Sequence, residues 1–227
     1  MQPNNLETGT VIPDDAWEVL APSLSAHRRQ RMEAVAEQRS HHLHLVLQDI
    51  INPHNISACM RSAEAFGLSR VSVVNSRAFF KPSTASKGVG SWLDLAVYTS
   101  IAGCATELRR QGYRLAMGVP QQEAPSLEEL AMAEPLALIF GNEHSGISPE
   151  WLNFIDLTFT IPMRGFVESL NISVSAAITM QRLSTRGRSE LAAAQYFISS
   201  AERKTLLNRW VWQQRPSMPQ EYLRKSG

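Results

Sequence analysis

The sequence predicts an α/β protein built on a mainly parallel sheet, and three observations carry that prediction. Short apolar runs alternate with helical patterns from Leu43 onward, the order expected when crossover helices join parallel strands. One run, Leu136 to Phe140, is wholly apolar, as a strand covered on both faces should be. Two runs end in the turn formers Gly141 and Pro162, and ligands in such sheets bind beyond the carboxyl ends of the strands.

The elements follow in order. Asp14 or Asp15 can start a first helix that breaks near Pro22, and a second spans about Ser25 to Gln38. That second helix groups His27, Arg28, Arg29, Arg31 and Arg39 against Glu33 and Glu37. It reads either as a solvated face or as an arm that reaches a polyanion. Leu43 to Gln48 alternates leucine with other residues as a first core strand. Asn55 is placed to cap a helix from Ile56 to Phe66, closed by Gly67. Arg61 lies off the buried stripe of that helix, with an ion pair to Glu64 as its ordinary role.

Val71 to Asn75 continues as a strand, followed by a long loop to Trp92 that holds Lys81, Lys87 and Gly88-Val-Gly90. Loops of that length are usually functional or mobile. Strands are then expected over Leu93–Tyr98 and Tyr113–Val119, with a helix between them over Ile101–Gln111. A short helix is expected over Leu127–Ala133, and a helical turn from Ser148. Leu157 to Ile161 runs into Pro162, which ends the strand because it has no N–H for a ladder. Gly165 permits a turn, and Ser169 or Asn171 can cap the helix that follows. Ile172, Ala176 and Met180 form its stripe, widened by Val174, Ala177 and Ile178, so most of that helix should be buried. A last helix, Ser200 to Trp212, carries Leu206, Leu207, Trp210 and Trp212, an apolar surface expected to dock or to meet another subunit.

Composition narrows the function. With 22 Lys plus Arg against 21 Asp plus Glu, any basic surface must be local. The two cysteines, Cys59 and Cys104, are too few for a disulfide framework or a zinc site. His41, His42 and His44 lack an acid or thiol to complete a ligand set, so no metal is assigned. The polar start of the chain lacks the regions of a signal peptide, and no apolar run approaches the ~20 residues of a membrane span. A cytoplasmic protein is expected.

Three segments carry a family likeness: Asn55-Ile-Ser-Ala-Cys-Met-Arg61 to Gly67, Ile139-Phe-Gly-Asn-Glu-His-Ser-Gly146, and Ile161-Pro-Met to Ser169-Leu-Asn-Ile-Ser. In that order and spacing they resemble the motifs of the SPOUT-class RNA 2′-O-ribose methyltransferases, in the branch of bacterial tRNA guanosine-2′-O-methyltransferases. The likeness covers about Leu43 to Arg186 and includes the loop Ser86 to Trp92. It implies an α/β fold with a C-terminal trefoil knot over residues 41–186, helical extensions over 1–40 and 187–227, and a homodimer. It implies S-adenosylmethionine as cofactor, contacted by Met117, Gly141, Ile161 and Leu170, with glycine admitting the adenosine. It also implies a reaction in which a ribose 2′-hydroxyl displaces the methyl group in line. Arg61 and Asn55 match the catalytic positions, and Glu143, Ser169 and Asn171 the other polar ones. RNA contacts are expected from Arg28, Arg29, Arg31, Lys87, Arg182, Arg186 and Arg188, with Arg164 as a further candidate. The implied substrate is the D-loop guanosine of tRNA at position 18. Ribosomal RNA, another tRNA site, or a knotted RNA-binding protein without catalysis are the alternatives. A nicotinamide dehydrogenase is disfavoured because no G-x-G-x-x-G follows the first strand.

Overall fold

The computed structural model describes residues 11–76, 90–120, 123–142 and 144–214. Its centre is a six-stranded sheet of order β3-β2-β1-β5-β4-β6, in which every pairing is parallel. The strands are β1 (Ser40–Gln48), β2 (Leu68–Val74), β3 (Asp94–Tyr98), β4 (Arg114–Gly118), β5 (Leu136–Phe140) and β6 (Leu157–Phe159). The chain builds outward from β1 to β3, then crosses to β4 on the other side, so order reverses between β1 and β5.

Side chains divide by the two-residue period of a strand. Leu43, Leu45 and Leu47 of β1 join Leu136, Leu138 and Phe140 of β5 in one core. That core is covered by α3 (Pro53–Ala65) and α5 (Ile172–Glu190), which pack on each other. Val46, Ala137 and Ile139 point to the opposite face, where α4 (Ile101–Arg110) and the buried Trp151 cover them. A third cluster joins both ends of the chain. Here α1 (Ala16–Leu20) and α2 (Ala26–Glu37) meet α7 (Ser200–Gln214), which follows the short α6 (Ala193–Tyr196). Asn208 of α7 ties this layer by accepting from the Trp17 amide and donating to the Asp14 carbonyl.

Several expectations are corrected. The first-motif helix begins at Pro53, whose ring presets the helical φ of a first position. Its cap is Asn52, which accepts from the His54 amide, so Asn55 lies inside the first turn. The helix expected over Leu127–Ala133 is a single 3-10 turn, Leu127–Glu129, closed by a Ser126–Glu129 capping box. Beyond it the chain extends, so that Leu130 and Met132, two residues apart, both enter the core. Of the two roles expected for the last helix, docking is the one seen: Trp210 and Trp212 are buried within the chain's own helical layer. Val174 and Ile178, expected to widen a buried stripe on α5, are exposed. Gly165 has open space at its Cβ position and no positive φ, so nothing there requires glycine.

Arg39 departs furthest from expectation. Expected on a solvated helix face, it is 1% exposed. It donates to the carbonyls of Leu68 (2.9 Å) and Glu64 (3.1 Å), pairs with the Glu64 carboxylate at 2.6 Å, and lies over the Trp210 ring. Glu64 is thereby taken from Arg61, the partner expected for it.

Candidate active site

The ends of β4, β5 and β6 and the start of α5 enclose a cavity of about 770 Å³, within the usual range of small-molecule sites. Met117 and Gly118 come from β4, Phe140 and Gly141 from β5, Phe159 to Ile161 from β6, and Ser169 to Ile172 from the approach to α5. All four residues expected to hold the cofactor, Met117, Gly141, Ile161 and Leu170, stand in this one wall. So do Ser169 and Asn171.

Gly141 is required for a reason internal to the loop. A Cβ there would lie 2.4 Å from the Gly146 carbonyl oxygen and 2.5 Å from the Ile147 nitrogen. The 142–146 loop folds back on the strand end, with Asn142 and Gly146 exchanging backbone hydrogen bonds at 2.9 and 3.0 Å. Gly146 supplies the turn with φ +67°. The Asn142 side chain holds the loop from inside, accepting from the amides of His144 and Ser145 and donating to the Asp49 carbonyl. Asn142 is 6% exposed and was not singled out by sequence. The Gly-Asn-x-His-Ser-Gly spacing was its only signal. Glu143 lies outside the described residues.

The first and third motifs meet beside this wall. Asn171 caps α5, accepting from the Ser173 amide and hydroxyl at 2.8 and 2.7 Å, and donates to the Asn55 side chain at 3.4 Å. Arg61, six residues further along α3 and about 9 Å along its axis, is exposed. It makes no hydrogen bond or ion pair with any described residue, and it is not part of the cavity wall. A guanidinium in that condition presents five donors to solvent.

The other basic candidates differ in how they are engaged. Arg28 donates to Gln214, while Arg29 is half-buried and Arg31 exposed on α2. Arg182 pairs with Glu128 at 2.6 Å on the surface. Arg186 pairs with Glu190 and also donates to the Leu130 carbonyl at 3.0 Å, fastening α5 to the 127–130 segment. Arg188 donates to the Gln38 side chain and carbonyl and lies over the rings of Tyr196 and Phe197. Lys87 lies outside the described residues. Of the histidines, His41 faces Glu202, His42 the Met132 carbonyl, and His44 the Ser72 hydroxyl. No helix among the described residues is long and apolar enough to cross a membrane.

A parallel α/β sheet whose strand-end backbones wall a cavity, with polar motif residues at its edge, is the arrangement in which proteins of this class hold a small-molecule ligand. The comparisons narrow the class. Residues 42–181, more than half of the chain, match the SpoU rRNA Methylase family, and the chain belongs to that family. It is 33% identical over 190 residues to a tRNA (guanosine(18)-2′-O)-methyltransferase of Borreliella burgdorferi, covering 83% of this chain and 86% of the relative. The fold is shared with the A. aeolicus TrmH/SpoU tRNA modifying enzyme, at TM-score 0.73 and 23% identity, over 84% of this chain and 98% of that one. It is shared as well with AviRb from Streptomyces viridochromogenes, solved with the cofactor AdoMet, at TM-score 0.57 and 24% identity over 66% of this chain and 62% of that one.

Proposed function

We propose that this chain transfers the methyl group of S-adenosylmethionine to a ribose 2′-hydroxyl of RNA, and that its target is the D-loop guanosine of tRNA at position 18. The observation that carries the proposal is the single wall formed by Met117, Gly141, Ile161 and Leu170, with the Asn55–Asn171 contact at its edge. The cavity suits the cofactor. Phe140, Phe159, Leu152 and Ile172 give apolar surface for a base, and the backbone at three strand ends offers polar groups without mobile side chains. When bound, the cofactor supplies an electrophilic methyl group.

The chain's own residues then have to align the hydroxyl and manage its proton. Arg61 is unsuited to be a base, because a guanidinium stays protonated in proteins. Its fork suits a phosphate next to the target ribose, and its charge stabilises the oxygen as the proton leaves to that phosphate or to water. Asn55, held by Asn171, orients groups at the cavity edge, and Ser169 and Glu143 complete the polar frame of the site. Arg28, Arg29 and Arg31 on α2 and the surface pair partner Arg182 supply the positive charge for the phosphate backbone. In the same reading, Lys87 adds charge from the long loop, and Arg186 and Arg188 act by holding α5 in position. The trefoil threading of the relatives' class, a homodimer and a cytoplasmic location belong to the same proposal. The exposed Val174 and Ile178 on α5 are apolar surface that a second copy could cover, whereas that of α7 is used within the chain.

The test is methyl transfer from labelled S-adenosylmethionine to unmodified tRNA transcript and to ribosomal RNA fragments, with nuclease mapping of the product. Label in a D-loop 2′-O-methylguanosine is expected. Label confined to ribosomal RNA keeps the chemistry and overturns the substrate. Absence of cofactor binding sinks the proposal.

A further inference from the structure

In a sheet of this kind a ligand is expected where strand order reverses, which here is between β1 and β5. The cavity sits instead over β5, β4 and β6, and the crevice at the reversal is filled by two buried polar side chains, Gln48 and Asp49, 4% and 3% exposed. Nothing in the reaction above uses either. Leucine or valine, which fill positions 45 to 47 of β1, would occupy the same space without polar atoms to satisfy.

They bond to each other and, through side chains and the Asp49 carbonyl, to Ser148, Ser76 and Asn142. Gln48 accepts from the Ser148 amide at 2.9 Å and donates to the Asp49 carboxylate at 2.9 Å. That carboxylate also accepts from the Ser76 hydroxyl at 2.6 Å. The Asp49 carbonyl accepts from the Asn142 side chain at 2.7 Å. Ser148 and Asn142 bound the 142–148 wall of the cavity, and Asn142 in turn holds the amides of His144 and Ser145. Three residues beyond Asp49, Asn52 caps the helix that carries Asn55 and Arg61.

Asp49 is also the one non-glycine residue with positive φ (+49°) among the described residues. An L-residue enters that region rarely, aspartate and asparagine more readily than most. The turn aims the Asp49 carbonyl at Asn142 while its side chain stays on Gln48 and Ser76. A strained backbone kept by Val74, whose carbonyl accepts from the Asp49 amide, and by Asn142, Gln48 and Ser76 is the signature of a position that the surroundings over-determine.

We propose that Gln48 and Asp49 form a positioning element that couples the 142–148 wall of the cavity to the start of α3. They hold the loop that cradles the cofactor and the helix bearing Asn55 and Arg61 as one unit. The functional half of this statement rests on the proposed methyl transfer; the mechanical half does not. Asp49 is a positioning residue and touches neither reactant.

Two variants of the full chain separate this role from ordinary stability. Asp49→Gly removes the carboxylate but suits the positive φ, so its melting temperature stays within about 4 °C of wild type. Asp49→Asn keeps the shape, one carbonyl oxygen and tolerance of that φ. Hydrogen exchange at the amides of Ser148, which Gln48 holds, and of His144 and Ser145 rises about tenfold in Asp49→Gly, because the carboxylate that fixes Gln48 and the turn is lost although the Asp49 carbonyl stays. S-adenosylmethionine affinity by calorimetry, and the single-turnover rate at saturating cofactor, each fall about tenfold. Asp49→Asn stays within about threefold on all three readouts. Wild-type exchange, affinity and rate in Asp49→Gly overturn the proposal. So does an Asp49→Asn variant as damaged as Asp49→Gly with both melting temperatures lowered in step, which makes the residue an ordinary fold determinant. A wild-type protein that binds no cofactor defeats the proposed function alone, and the exchange measurement still decides the coupling.

Discussion

Two arginines, Arg39 in the link between α2 and β1 and Arg61 on α3, mark the difference between the site and the helical layer made by the chain ends. Arg39 is buried, pairs with Glu64, and donates to two backbone carbonyls beneath the Trp210 ring. Arg61 is exposed and has no hydrogen-bond or ion-pair partner among the described residues. Neutralised charge is structure, and charge left without a partner is available to a ligand. The groups behind the wall, from Gln48 to Asn142, are likewise held, at 2.6 to 2.9 Å.

The largest effect tests the free member. Arg61→Ala is expected to lower turnover on tRNA about 10²- to 10³-fold, the scale of losing one charge-stabilising group in a transition state. Cofactor affinity and melting temperature are expected to hold, because no fold contact is lost. Arg61→Lys should recover little, since a point charge replaces the fork. Equal losses in turnover and cofactor binding would assign Arg61 to the cavity instead.

Arg39→Ala should do the reverse. Removing the buried guanidinium leaves two backbone carbonyls and the part-exposed Glu64 carboxylate without their donor, at a cost of about 1–3 kcal/mol, read as a lower denaturation midpoint. Each folded molecule should keep its methyl-transfer rate. A variant of unchanged stability would break the contrast between the two arginines.

The contrast also explains what was legible in the sequence. Strand β5 and the sheet class follow from short apolar runs, which are local pattern, whereas the four wall residues come from the family resemblance. Arg39 and Asp49 follow from neither. The burial of Arg39 is set by Trp210, more than 150 positions away, and Asp49 looked like one polar residue in a turn cluster. The start of α3 was misplaced because two asparagines, Asn52 and Asn55, both suit a cap, and Pro53 at the first helical position decided between them. Sequence leaves α7 open between docking and a subunit contact, because a terminal helix shows its partners only once both ends of the chain are folded together.

A third test concerns β1, where burial lowers the titration of His41, His42 and His44, most strongly His44, from 6.5 to about 3. A base whose folded value is depressed contributes stability above its unfolded value and loses it as pH falls. Between pH 7.5 and 5.5 the unfolded chain protonates His44 and the folded chain does not. One such group loses about 1.4 kcal/mol over that interval. His44→Gln, which can still meet Ser72, should be less acid-sensitive than wild type by about that amount, measured from denaturant midpoints at the two pH values. Parallel curves would mean that His44 takes up its proton in the folded chain.

The smallest effect sharpens the comparison from the surface. Arg182 is paired, but with Glu128 in the open, at side-chain exposures of 46% and 53%. Such a pair contributes at most about 1 kcal/mol, so Arg182→Gln should leave the melting temperature almost unchanged. If RNA phosphate displaces Glu128, the variant should bind tRNA more weakly and lower the salt slope of binding by about one. Glu128→Gln should then tighten binding slightly, because it removes the competitor and keeps the arginine. A salt slope untouched by both variants would place Arg182 with Arg186 and Arg188, as an arginine whose charge is used to hold α5 to its neighbours.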